Sequence, residues 1–336
     1  MMKNQNAPAY TGDIAAQQLE GQEYTSKNQE INFTDEQHAI WADLFAGIHQ
    51  PYLLEHVCKE YKHGLTLLRL DPLHIPTVAC LNEHITPHTG WRIERTVVRY
   101  TPADDWYKKF AQHIFLITDY LRTRDQMEFT PEPDMFHDIF GHLPYLTQEF
   151  YAHIEDKFAP AYLKATPDER EVIKRLAWYS TEFGLVVEDN RLKVFGAGTI
   201  SGRAELTNTI MEFYRLGRDG VIDYTANIFE QIQENFLKHK NDIHRIIDGV
   251  NGLHRGGQMS SQEKGWNVVH ALYEKLGIAR DVYFGGEVII APFDIETIAL
   301  IPKTVYAFNP MFFVCESFEQ MDALLDSYLK PIAMRN

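Results

Sequence analysis

Apolar residues recur at helical spacing along most of this 336-residue chain. Residues 1–34, rich in Gln, Asn and Gly, carry no such pattern and read as a polar arm with little reason to pack. At its end Thr34-Asp35-Glu36-Gln37 has the form of a capping start, and Ile40, Leu44 and Ile48 then fall on one stripe. The same spacing predicts helices over 51–61, 106–122, 148–158 and 167–183. The last is the best marked: Thr166 can cap it, Pro167 takes its first position, Glu169 completes a capping box and Gly184 stops it. A long amphipathic helix is expected over about 223–248, a Gly-rich break over 252–261 and another helix over 262–276. Strand signals are few and short, in part of 91–100 and at 193–195, 288–290 and 311–314. The pattern predicts a mainly α fold with a few short β-strands. No Pro/Ser-rich linker divides it, so 35–336 reads as a single domain.

Composition narrows the function. With 32 basic against 47 acidic residues the formal charge is −15, which argues against nucleic acid or an anionic membrane as partner. Three widely spaced cysteines, Cys58, Cys80 and Cys315, suit a reducing compartment. No basic-then-apolar signal opens the chain, and no apolar run approaches the roughly 18 residues of a spanning helix. A cytoplasmic protein is expected. Fifteen histidines with 20 Phe, 17 Tyr and 5 Trp supply material for a metal site and an aromatic pocket, though equally for an ordinary core.

The most informative stretch is 130–144, where prolines precede a short helix, Asp134 can cap it, and Gly141 with Pro144 would end it. Two histidines five apart on a straight helix diverge by about 140° at about 3.6 residues per turn. If the helix ends at Gly141, His142 is released and can swing back toward His137. Glu182, at the end of the 167–183 helix among aromatic neighbours, is the candidate third ligand, because a carboxylate in such surroundings calls for a cation. Two imidazoles and one carboxylate leave positions open on an octahedral ion, the facial triad of non-haem iron oxygenases. Spacing alone is not specific: His239 and His244 share it with no glycine to bend their helix, and His84 and His88 read as loop residues.

The letters around the histidines carry more. PEPDMFHDIFGHLPYLT at 131–147, WYSTEFGL at 178–185, FGAGTISGRAEL at 195–206 and FNPMFFVCESFEQM at 308–321 resemble, in order, four landmarks of the pterin-dependent aromatic amino acid hydroxylases, and most closely the bacterial phenylalanine 4-hydroxylases. The resemblance covers roughly 85–207 and 293–330. It implies an aromatic amino acid hydroxylase-like catalytic domain in which His137, His142 and Glu182 bind Fe(II). It further implies that Arg122, held by Asp134, receives the amino acid's carboxylate. Thr130 and Pro131 would line the same end, Trp178 would pack beside the substrate ring, and Ser201 would support the site from behind an iron-bound imidazole. For the tetrahydropterin, tetrahydrobiopterin or a relative, it implies stacking by Trp106 and a water-mediated contact from Asp138. The small-molecule partners would be O2, the pterin and an aromatic amino acid, most simply L-phenylalanine hydroxylated to L-tyrosine. Tyrosine, tryptophan or another ring position are the alternatives within the class.

Two features set the chain apart from that pattern. The stretch 95–105 holds no glycine where the family has a glycine turn before the stacking aromatic. This motivates an alternative of another class, an amino acid-binding or regulatory relative that keeps the metal site without turnover. Residues 207–284 form a helical block between the third and fourth landmarks, atypical of the family. It could lid the site, make a dimer face through its amphipathic helix, or merely decorate the domain; the chain is expected to be a monomer or such a dimer.

Overall fold

The computed structural model describes residues 26–27, 31–99, 101–128, 130, 132–253, 268, 271, 289–301, 303, 309 and 311–335. Most of the arm, the 252–261 break and the 262–276 helix lie largely or wholly outside the described residues, as does Pro131. Helices dominate, and two small sheets are set among them.

The first sheet has the order β1 (Ser26–Lys27), β2 (Arg92–Thr96), β3 (Ile114–Thr118). β1 runs antiparallel to the end of β2, with Ser26 opposite Thr96. β2 and β3 are parallel, Arg92 facing Ile114 through Thr96 facing Thr118, and the Ala103–Phe110 helix makes the crossover between them. The single helix expected over 106–122 is therefore wrong. Its second half is Ile114-Phe115-Leu116-Ile117, an apolar, partly β-branched run that is buried throughout, as a strand covered on both faces must be. His113, at φ 56°, turns the chain from one element to the other.

The second sheet has the order β5 (Arg191–Val194), β4 (Leu185–Glu188), β7 (Met311–Cys315), β6 (Ile289–Pro292). β4 and β5 form a hairpin whose two loop residues, Asp189 and Asn190, both take positive φ, as a tight right-twisted turn requires. β7 joins in parallel between β4 and β6.

Several expected helices are present but divided. The 51–61 pattern resolves into Pro51–Leu54 and Lys59–Leu68, and 148–158 into Glu149–Glu155 followed by Phe158–Lys164. Both expected capping boxes form, Thr34 with Gln37 and Thr166 with Glu169. His84 and His88, expected in a loop, lie on the Val78–Thr89 helix. The long amphipathic helix runs Ile228–Leu253, and its stripe of Phe229, Ile232, Phe236, Ile243 and Ile247 is buried within this chain; Lys240 pairs with Asp294 at 2.8 Å and His244 meets Thr297 at 2.8 Å. The apolar face that suggested a dimer contact is thus covered intramolecularly. No helix among the described residues is long and apolar enough to cross a membrane.

Candidate metal centre

The His137–His142 segment does not end at Gly141. It continues as a π-helical turn and passes directly into the Leu143–Leu146 helix. This corrects the expected release of His142. In a π-helix the hydrogen bonds run i to i+5, so residues five apart sit one above the other on one face. His137 and His142 are brought together by that widening, with Nε2 atoms 3.2 Å apart and rings edge to face. The glycine has a different task. A Cβ on Gly141 would lie 2.9 Å from the carbonyl oxygen and 3.0 Å from the Cβ of Ala197, so the residue exists to let the Ala197–Ile200 helix approach.

Glu182 arrives on a second π-helical turn, Trp178–Glu182, which follows the Pro167–Ala177 helix. The Phe183 amide donates to the Trp178 carbonyl, five residues back, at 3.0 Å. The hydroxyls of Ser180 and Thr181 donate to the carbonyls of Leu176 and Ala177, acceptors that an unbroken α-helix would reserve for its amides. Behind the turn, a Cβ on Gly196 would fall 2.3 Å from the Glu182 carbonyl oxygen, so only glycine permits this packing.

One Glu182 oxygen lies 3.2 Å from His142 Nε2 and the other 3.5 Å from His137 Nε2. All three donor atoms fall within 4.8 Å of one another. The protonation states suit a cation. Burial drives His137 down to about 4, so it stays a neutral ligand; burial opposes the charge on Glu182, but the two imidazoles outweigh it and hold the carboxyl at about 2. For His142 burial is likewise outweighed, by Glu182, and its affinity for a proton rises.

A second group among the described residues, Cys58, Glu60 and Glu188, is equally close but differently disposed. Burial pushes the Cys58 thiol to about 12, and the Lys59 amide already donates to Glu188 at 3.1 Å. At neutral pH its sulfur is a thiol and a poor ligand.

The surroundings of the triad are ordered by charge. Ser201 Oγ lies 2.8 Å from His137 Nδ1, fixing the ring so that Nε2 faces Glu182. Asp134 accepts from four donors: Arg122 Nε at 2.8 Å, Nη2 at 2.8 Å and backbone amide at 2.9 Å, and the His137 amide at 2.9 Å. This is the expected cap and the expected Arg122 clamp in one carboxylate. Both residues are fully buried, and Arg122 Nη1 is a buried donor with no acceptor among the described residues. The Thr130 hydroxyl donates to the Glu132 carbonyl at 2.8 Å. Asp138, buried, accepts from the Thr118 amide at 2.8 Å, and burial raises its carboxyl to about 7. Trp106 stacks on Phe110 and meets the edge of Phe115, whose ring centroid is 5.3 Å from that of His142. Trp178 packs against Phe183. Lys303 is one residue that the sequence reading passed over. Its ammonium lies 5.4 Å from the centroid of the Trp178 ring, and burial lowers it to about 8. It stands in no periodic stretch and carried no signal. Neither decoy pair, His239 with His244 or His84 with His88, belongs to a metal-like cluster among the described residues.

Comparison with known proteins gives the family and the fold. The model of the biopterin-dependent aromatic amino acid hydroxylases matches residues 6–242, and the chain belongs to that family. The phenylalanine-4-hydroxylase of Vibrio cholerae is 31% identical over 180 residues, 54% of this chain and 62% of that protein, so the match spans less than two thirds of the relative's length. Cobalt-bound phenylalanine hydroxylase from Chromobacterium violaceum superposes with a TM-score of 0.63 at 21% identity, covering 96% of this chain and 94% of the other. The structure of the same enzyme with iron(III) and 7,8-dihydrobiopterin gives 0.62 at 22% identity, covering 95% and 90%.

Proposed function

We propose that this chain is a non-haem iron, tetrahydropterin-dependent monooxygenase that hydroxylates the ring of an aromatic amino acid, L-phenylalanine to L-tyrosine. The observation that carries the reading is the convergence of His137, His142 and Glu182 on one point beside an unsatisfied buried guanidinium donor on Arg122. Two neutral imidazoles and one ionised carboxylate are the donor set of a facial-triad iron site. When bound, Fe(II) and the reduced pterin supply the activation of O2, one oxygen atom going to the ring and the other to the pterin.

The chain's own residues do the positioning. Arg122, already pinned by Asp134, offers Nη1 to the substrate carboxylate, so the amino acid's orientation is set without ordering a loose side chain. Trp178 supplies a flat wall for the substrate ring, with Thr130 at the carboxylate end. Ser201 keeps His137 in the tautomer that presents Nε2. Trp106 is a stacking surface for the pterin, and Asp138 an acid within reach of it through water. The −15 charge and three free cysteines support a cytoplasmic setting without nucleic acid or membrane partners. Residues 35–336 act as one catalytic domain; of the 207–284 block, residues 243–284 lie beyond the stretch that the family model matches.

The test is turnover. Protein loaded with Fe(II) and supplied with tetrahydrobiopterin and O2 should convert L-phenylalanine to L-tyrosine, identified by mass spectrometry and NMR. Oxidation of none of phenylalanine, tyrosine and tryptophan would remove the hydroxylase reading, and binding without product would favour the amino acid-binding relative.

A further inference from the structure

One set of oxidisable side chains takes no part in positioning substrate or pterin. Tyr145 stands three residues after His142, in the helix that continues the first π-turn, and its hydroxyl donates to the Phe195 carbonyl at 2.6 Å. Phe195 precedes Gly196, whose backbone presses on Glu182. Tyr145 is thus tied to both ligand-bearing turns, to the first along the helix and to the second through the chain that supports Glu182. The same hydroxyl oxygen meets the Cys58 sulfur at 3.3 Å. The Tyr151 ring stacks on the Tyr145 ring with centroids 4.2 Å apart. All three residues are buried.

The sulfur ends this run beside acids. Cys58 Sγ and a carboxylate oxygen from each of Glu60 and Glu188 lie within 4.8 Å of one another. Glu60 Oε2 is buried and has no hydrogen-bond partner among the described residues. Burial and the neighbouring Glu60 push the Glu188 carboxyl up to about 7, so the pair can take up a proton near neutral pH. A thiol that is a poor metal ligand can still give up an electron once its proton has a place to go. A centre that activates O2 with no substrate to receive the oxygen can be left holding a one-electron oxidant, and excluding that side reaction falls to the protein.

We propose that Tyr145 and Cys58 form a relay that drains oxidising equivalents from the metal centre when O2 is activated without hydroxylation of substrate. The inference rests on the reading of the centre as an iron oxygenase. An electron passes from Tyr145 to the oxidised metal centre, which is reduced by one electron, and Cys58 replaces it across the 3.3 Å contact. The Cys58 S–H bond breaks, its proton goes to the Glu60–Glu188 pair, and the sulfur is left as a thiyl radical. Tyr145 keeps its own proton, donated to the Phe195 carbonyl, and ends the sequence unchanged.

The experiment reads these side chains rather than a product. Fe(II)-loaded protein of measured iron content is mixed with hydrogen peroxide in the absence of amino acid and pterin. Freeze-quenched samples are taken for EPR, and the thiols that remain are measured by alkylation after denaturation and peptide mass spectrometry. The unaltered chain should show a short-lived tyrosine radical and lose the Cys58 thiol. Cys315, equally buried but with no tyrosine hydroxyl bonded to its sulfur among the described residues, should be spared. Tyr145→Phe should lower the loss of Cys58 roughly tenfold or more, because burial shields the thiol from direct attack. Cys58→Ser should lengthen the life of the tyrosine radical. Equal loss of Cys58 in Tyr145→Phe at equal iron content overturns the relay, as does an iron-loaded unaltered chain that keeps its Cys58 thiol, and either result leaves the metal-site reading standing. If the unaltered chain holds no iron, that reading falls and this inference with it.

Discussion

Every residue of the His137–His142 turn is buried, whereas in the Trp178–Glu182 turn Trp178 is half-buried and the Glu182 side chain keeps 26% of its surface exposed. The two turns share a backbone geometry and are held by different means. The first is gripped from outside: Asp134 caps it, Ser201 holds its first imidazole, and the Tyr61 hydroxyl donates to the Phe140 carbonyl at 2.7 Å. The second is held by its own hydroxyls and by glycine backbone pressed against it. The difference divides the labour of the centre. The two nitrogen donors come from a buried interior, and the one carboxylate comes from the more exposed turn.

The sharpest way to break this contrast is Asp134→Ala. It orphans four donors, including a buried guanidinium, and uncompensated buried charge of this kind costs about 3–5 kcal/mol. Urea unfolding should report a loss in that range with iron binding weakened in parallel. A loss under about 1 kcal/mol would mean the first turn does not depend on its cap.

Removing the carboxylate ligand should act more on iron than on the fold. Glu182→Ala is expected to lower Fe(II) affinity by roughly a hundredfold or more, beyond what any outer partner contributes. Stability without metal should fall by less than in Asp134→Ala: the fold loses the contact by which two imidazoles hold the carboxyl at about 2, but that side chain is 26% exposed. Chelator competition and thermal melts give the two numbers. Full iron occupancy in the variant would remove Glu182 from the ligand set.

How much of this was legible beforehand depends on whether the cause is local. The Thr166–Glu169 box and the Asp134 cap are written within four residues, so the letters alone announce them. The pairing of His137 with His142 was also legible, but for the wrong reason. Helix widening leaves no composition signal, and Gly141 is small because of Ala197, fifty-six positions away. The same holds for β3, whose apolar letters suit a helix until β2 is there to pair with it. Lys303 depends wholly on tertiary placement, and no pattern could have pointed to it.

Gly196→Ala probes the backbone support of the second turn. Its Cβ would press on Glu182 and Phe183 main-chain atoms at 2.3–2.5 Å, which cannot rotate away. Overpacking of this kind costs about 1–3 kcal/mol, and iron affinity should fall with it, because the displaced residue is the ligand itself. Gly141→Ala, pressing on Ala197 rather than on a ligand, should cost similar stability with less effect on iron. Equal losses of affinity in both would erase the distinction between a turn held from outside and one held by close backbone contact.

The smallest effect is expected at Ser201. Its hydroxyl is 2.8 Å from His137 Nδ1, and its own amide closes the Ala197–Ile200 helix whatever the side chain. Ser201→Ala should therefore leave the fold nearly intact, while the imidazole loses the partner that sets its tautomer. Outer partners of metal-bound histidines are worth about 10–100-fold in affinity, and the lower end applies here because the tight turn still holds the ring. Ser201→Thr keeps the hydroxyl and should recover most of the affinity. If Ser201→Ala lowers the melting temperature without changing iron affinity, or Thr fails to rescue, the contact is packing, and the rigidity of the first turn resides in Asp134 and the Tyr61 hydroxyl.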